Sequence, residues 1–136
     1  MQVFCLGGAG RITRESTLDL VQFGDFERIT IGDYDPEAAR AVADWLDDPR
    51  VDWIRVDVTD AKETVAAMRG YDLVLDGTTI SLNGASSACI ARADCHGLNL
   101  NGFGDEYRQD RAFRNMDRVF VPGFGMTPGI TNMMAK

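Results

Sequence analysis

What most limits the possible folds of this chain is a rhythm. Short apolar runs of strand length alternate with longer stretches that carry helical marks. The runs are Gln2 to Leu6, Ile29 to Gly32, Trp53 to Val58, Leu73 to Asp76, Leu98 to Asn101 and Val119 to Val121. They are apolar on both faces, as strands covered by two layers are. Strand, helix, strand in strict turn predicts a parallel sheet joined by right-handed crossovers. The fold class expected is therefore α/β: a doubly wound parallel sheet in a three-layer αβα arrangement.

The stretches between the runs read as helices. The first is Arg11 to Phe23, closed by Gly24, which reads as a glycine just past a helix end. The second opens on Asp35-Pro36, an N-cap followed by the residue best suited to the first helical position. Ala38, Ala39, Val42, Trp45 and Leu46 then follow helical spacing. The third opens on Asp60 with Glu63 three residues on, a capping-box-like pattern, and ends near Gly70. The fourth is read over Asn83 to His96 with Gly97 at its end, the fifth over Asp105 to Met116.

Size and composition fit a single domain over 1–136. The chain has 136 residues, 45% hydrophobic and 26% charged, enough for one core. No apolar run approaches the ~18 residues of a membrane span. The start, MQVFCLGG, is not that of a signal peptide, so a cytoplasmic location is expected. A net charge of −7 disfavours nucleic acid and anionic membranes as partners. Three cysteines, Cys5, Cys89 and Cys95, and the single His96 offer no zinc-ligand spacing, so no metal is expected.

The first apolar run leads straight into glycines, in VFCLGGAGRITRESTLDL. Gly8, Gly10 and Thr13 fall on the frame G-x-G-x-x-G; Gly7, Gly10 and Thr13 fall on G-x-x-G-x-x-G. Both frames end on threonine, where a small residue normally lets the helix approach the strand, so looser packing is expected there. The remaining parts are those of a pyrophosphate cradle. The segment Gly7, Gly8, Ala9, Gly10, Arg11 and Ile12 would bring bare backbone and a helix N-terminus to the phosphates of a dinucleotide. After the second strand the chain reads IGDYDPEAAR. Asp35 serves as the helix cap, which frees Asp33 to receive adenosine ribose hydroxyls. An acid there, followed by Tyr34 where an arginine would welcome a 2′-phosphate, favours NAD over NADP.

Ligands of such sheets lie at the carboxyl ends of the strands. Asp57 and Val58, after the third strand, would flank the adenine. Gly77, Thr78 and Thr79, after the fourth, would pass the pyrophosphate or nicotinamide side. Asn101-Gly102 and Gly123 end later strands; each of these positions also suits an ordinary turn.

The last segment, VFVPGFGMTPGITNMMAK, opens a new helix at Thr127-Pro128 just before the chain stops, which reads as a fragment. Its GMTPGITN resembles the G-x-x-P-G-x-x-[NH] segment that closes the nucleotide domain of saccharopine dehydrogenase-like proteins. LGGAGRITR, IGDYDPEAAR, VDVTDAKETVAAMRGYDLVLDGTT and LNLNGFG fall in that family's order. The departures are Thr13, where Gly or Ala is common, and Asn101, where Asp is frequent. The resemblance implies a Rossmann NAD(P)-binding domain of an oxidoreductase acting on a secondary amine that joins two amino acids. It also implies that a second domain, absent from this chain, holds the amino-acid-derived substrate. Catalytic residues are not expected here, and His96 reads as a helix C-terminal residue. Self-association through apolar surface is an expected possibility. The rival reading is a nucleotide-sensing regulatory domain without chemistry of its own. A complete short-chain dehydrogenase is disfavoured because no Tyr-x-x-x-Lys pair occurs.

Overall fold

A computed structural model describes residues 1–101, 105–125, 129, 131 and 134–135. Six strands form one parallel sheet: β1 (Gln2–Leu6), β2 (Arg28–Asp33), β3 (Val51–Arg55), β4 (Leu73–Asp76), β5 (His96–Asn99) and β6 (Phe120–Val121). Their spatial order is β3-β2-β1-β4-β5-β6. The connecting helices are α1 (Arg11–Phe23), α2 (Pro36–Leu46), α3 (Ala61–Met68), α4 (Asn83–Ala93) and α5 (Asp110–Asn115). The chain is thus the doubly wound Rossmann-like α/β fold. Strand order runs outward in both directions from the β1/β4 boundary, which opens a crevice at the carboxyl ends of those strands.

Alternation within β1 divides the core between two faces. Phe4 and Leu6 pack with Val65, Met68, Val74 and Ile90 under α3 and α4. Val3 and Cys5 pack with Ile29 and Leu75, against Leu20 and Val21 of α1. All four β1 side chains are fully buried, as a central strand requires. Tyr71 meets Phe4 edge-on at 5.2 Å and shares a hydrogen bond with Thr30 at 2.6 Å.

Several boundaries differ from the sequence expectation. β3 ends at Arg55, its last residue paired with β2, and the Val56 N–H makes the closing ladder bond to the Asp33 carbonyl at 2.8 Å. The apolar run to Val58 continues as a buried turn. As an edge strand, β3 leaves Trp53 and Ile54 about 40% exposed, so it is not covered on both faces. α4 stops at Ala93, where Asp94 takes a left-handed conformation (φ 62°). His96 is therefore no helix C-terminal residue; it opens β5, and its Nδ1 accepts the Val119 N–H at 3.0 Å. Gly97 lies inside β5, where a Cβ would run into the Phe120 ring. Gly24 is extended (φ −92°), not left-handed; it is glycine because a Cβ would strike the Phe26 ring. The fifth helix divides into a 3₁₀ turn, Asp105–Gln109, and α5. Gly102 and most of GMTPGITN lie outside the described residues.

Among the described residues no helix is long and apolar enough to cross a membrane. Cys5, Cys89 and Cys95 are all buried free thiols.

Candidate functional site

The loop from β1 to α1 is held from within. Gly7 takes φ +68°, a conformation that favours glycine. Its N–H and that of Gly8 both donate to the Gly32 carbonyl, at 2.8 and 3.1 Å. A Cβ on Gly8 would lie 2.7 Å from the Cys5 carbonyl oxygen. The Gly10 N–H donates to the Gly7 carbonyl at 3.1 Å. The Ala9 N–H donates to Asp33 Oδ2 at 3.0 Å. Four loop amides that the sequence offered to a phosphate thus have partners inside the protein. The donors left to an anion are one turn further on. Gly10 is the N-cap of α1, with no side-chain cap and no acid in the first turn. Helix geometry leaves the N–H groups of Arg11, Ile12 and Thr13 without intrahelical acceptors, at the positive end of the helix dipole.

Asp33 ends β2 beside this turn. Its Oδ2 accepts from Ala9, and its Oδ1 accepts from the Asp35 N–H at 3.1 Å. Each oxygen keeps a further lone pair for a ligand hydroxyl. Asp35 is the cap of α2, accepting from the N–H groups of Glu37 and Ala38 at 2.9 and 3.1 Å. Asp35 thus takes the cap role expected of it, which leaves Asp33 free of that role. Tyr34 is 67% exposed, and the Arg55 guanidinium lies over its ring at 5.4 Å.

Two clefts meet at the loop. The larger, about 520 Å³, collects Gly7, Gly10, Asp33, Tyr34, Asp57 and Val58 from the β1–β3 half. Gly77, Thr78 and Thr79 close it on the β4 side. The smaller, about 210 Å³, holds Arg11 and Ile12 beside Thr13, Leu100 and Asn101. Gly10 and Gly77 line both, so they mark the crossing between the two halves. Gly8 and Ala9 line neither; their part is to shape the turn. In the larger cleft the Asp57 carboxyl accepts from the Thr59 hydroxyl at 2.6 Å and from the Thr59 N–H at 2.9 Å. These bonds, helped by the nearby Arg55 charge, hold it below the usual carboxylate range.

Thr13 does not loosen the packing. It is 1% exposed, and a Cβ on Gly77 would fall inside its hydroxyl group. The small residue has changed sides: helix α1 carries the bulk, and the turn after β4 carries the glycine. The pairing of positions 13 and 77 is invisible along the sequence, because 64 residues separate them.

The sequence reading also missed a buried polar network beneath the turn after β4. Asp76 is fully buried. Its Oδ1 accepts from the Thr78 N–H and hydroxyl at 3.0 and 2.7 Å. Its Oδ2 accepts from Ser86 at 2.6 Å and Asn99 Nδ2 at 2.8 Å. Asn101 Nδ2 donates to the Thr78 carbonyl at 2.7 Å. The network fixes Gly77, which lines both clefts, and Thr78, which lines the larger. Asp76 read as a strand end; the signal that could have found it is a carboxylate inside an apolar run, which demands buried partners.

A parallel sheet with a glycine turn at its first crossover, an open helix N-terminus and an acid ending β2 defines the class of Rossmann dinucleotide-binding domains. Comparison with known proteins places the chain more narrowly. The family model described as "Saccharopine dehydrogenase NADP binding domain" matches residues 3–118, and the chain belongs to that family. Among solved structures, apo saccharopine dehydrogenase (L-Glu forming) from Saccharomyces cerevisiae matches with TM-score 0.85 at 18% identity. The match covers 98% of this chain and 29% of the yeast chain, so this chain spans less than a third of that enzyme's length. A short-chain dehydrogenase/reductase from Veillonella parvula in complex with NADP matches with TM-score 0.61 at 17% identity, over 85% of this chain and 62% of that one. A dTDP-glucose 4,6-dehydratase from Streptomyces venezuelae with NAD bound matches with TM-score 0.62 at 19% identity, over 72% and 38% respectively. At these identities the likeness is one of fold.

Proposed function

We propose that this domain holds the dinucleotide of an oxidoreductase whose substrate is a secondary amine linking two amino acids. The observation that carries the reading is the pair of clefts meeting at Gly10 and Gly77, with the uncapped first turn of α1 beside them. The adenosine half lies in the larger cleft, its ribose hydroxyls on Asp33 and its adenine between Tyr34 and the Asp57-Val58 turn. The pyrophosphate crosses Gly10 to the N–H groups of residues 11–13. The nicotinamide half lies toward Gly77, Thr78 and Asn101. A Cβ on Gly10 would sit 3.1 Å from the Gly7 carbonyl oxygen, so a side chain at the crossing would be tight.

Bound there, the nicotinamide ring would exchange a hydride with an imine carbon of the substrate. The ionisable groups at the clefts, Asp33, Asp57 and Arg11, serve binding. The substrate and its proton donor belong to a further domain, as the 29% coverage of the yeast chain supports. This chain alone binds coenzyme without turning over substrate. Asp33 accepts ribose hydroxyls and repels a 2′-phosphate, which supports NADH as the tighter ligand.

The test is calorimetric titration of the chain with NADH and NADPH. Binding of NADH, weakened about tenfold by Asp33→Ala, is expected. A chain that stays folded and binds neither dinucleotide would overturn the proposal.

A further inference from the structure

The two edges of the sheet are built differently. On one side β6 is only Phe120–Val121, and its Phe120 ring is stacked on Phe113; a strand so short offers little to a neighbour. On the other side β3 runs over five residues, Val51–Arg55, with no proline, lysine or bulge to blunt it. Trp53 and Ile54 point to opposite faces and are each about 40% exposed. The register shows which backbone groups are free. The Arg50 carbonyl accepts from the Ile29 N–H and the Val56 N–H donates to the Asp33 carbonyl, so the even-numbered residues of β3 turn their polar groups to β2. Val51, Trp53 and Arg55 therefore turn theirs outward. The Val51 N–H is taken by the Asp48 carbonyl at 2.9 Å; among the described residues nothing takes the outward groups of Trp53 and Arg55. Charges on the strand are balanced within the chain. Asp52 is bound by Arg28 and Thr30, and Arg55 lies 3.7 Å from Glu63.

An edge of this kind accepts an extended strand, and the residues on it fit a second copy of the same strand. A twofold axis normal to the sheet pairs residues of like parity, because directly opposed side chains share a face. Centred on Ile54, the pairing sets Trp53 against Arg55 of the second copy, and the reverse. Those are the residues whose N–H and C=O groups are free, so each opposed pair exchanges both backbone bonds and no group serves twice. The side chains agree with this register. The guanidinium meets the face of the indole, and Ile54 meets its own copy at the close spacing of a non-hydrogen-bonded pair. The two Arg55 cations, diagonal to each other, keep their Glu63 partners. Centred on Trp53 instead, the strands would set Asp52 against Ile54 and call on the Val51 N–H, which is already bonded. We infer that this chain forms a symmetric dimer by antiparallel pairing of β3 with β3, which joins two six-stranded sheets into one. The inference stands apart from the coenzyme reading and is tested without coenzyme.

The experiment is sedimentation velocity of the whole chain over a dilution series, with Trp53→Lys and Ile54→Cys as variants. The wild type is expected to pass from dimer to monomer on dilution. Trp53→Lys places a charge on the edge and should raise the dissociation constant of the dimer by about tenfold or more. Its circular dichroism should match the wild type, which shows that the loss is one of association. Ile54→Cys should form an interchain disulfide under mild oxidation, because a close opposed pair suits disulfide geometry; the native cysteines are buried. Should Trp53→Lys fail to fold, the crosslink alone decides. A wild type that is monomeric throughout overturns the inference, as does a dimer left unchanged by a folded Trp53→Lys. A dimer that gives no crosslink at position 54 also overturns it, because the contact then lies elsewhere on the molecule. All of these outcomes leave the dinucleotide reading standing.

Discussion

Thr13 shows how a single side chain can depart from a familiar pattern without disturbing what the pattern does. The third position of the glycine turn matters because helix and strand must touch. Here the contact is kept by Gly77, whose missing Cβ is the space Thr13 fills. The two positions form one steric unit, so substitutions at them will not add. Gly77→Ala should destabilise the chain by about 2 kcal/mol or more through overpacking. Adding Thr13→Gly to that variant should raise the thermal midpoint again, where independent sites would lower it further. Thermal unfolding of the two single variants and the double variant checks this; a simple sum would show that the two residues do not press on each other.

At the scale of elements, the turn after β4 is organised by Asp76. A fully buried carboxylate with four donors is stable only while all four are present. Asp76→Ala would take the acceptor from the Thr78 N–H and hydroxyl and leave Ser86 and Asn99 only their longer bonds to Asn83, at a cost on the order of 3 kcal/mol. Urea unfolding should show the lower midpoint, and coenzyme affinity should fall with it because Gly77 and Thr78 lose their anchor. An unchanged midpoint would mean that the turn holds its shape without the carboxylate. The contrast with what was legible in the sequence is instructive. Periodicity and the caps Asp35 and Asp60 placed α2 and α3 closely, because caps are local chemistry. The ends of β3 and β5 were misplaced because pairing with neighbouring strands sets them: Arg55 is the last β3 residue paired with β2, and the Val119 N–H reaches His96 at the start of β5. The site divided in the same way. The glycines and Asp33 stand on the sequence as a spaced motif, whereas the partners of Asp76 and the complement of Thr13 come from elements adjacent only in space.

For the molecule as a whole, the two faces of the sheet each enclose a thiol. Burial raises Cys5 and Cys95 from the usual 9.0 to about 11. Above pH 9 the unfolded chain sheds protons that the folded chain keeps, so stability should fall as pH rises from 9 toward 11. Denaturation midpoints across that range check the sign, and Cys5→Ala combined with Cys95→Ala should flatten the slope; a slope unchanged by the pair would trace the loss to other groups. The same central placement of β1 has a temporal consequence. β1 pairs on one side with β2, whose residues follow within about 25 positions, and on the other with β4, where Val3 faces Leu73. During synthesis the β1–β3 half can assemble once β3 has emerged, but one flank of its first strand stays unpaired until β4, about twenty residues further on, has left the ribosome. For that interval the nascent chain presents an open apolar strand edge, and a slow translation site before residue 73 would prolong the period in which it can pair with a neighbour instead.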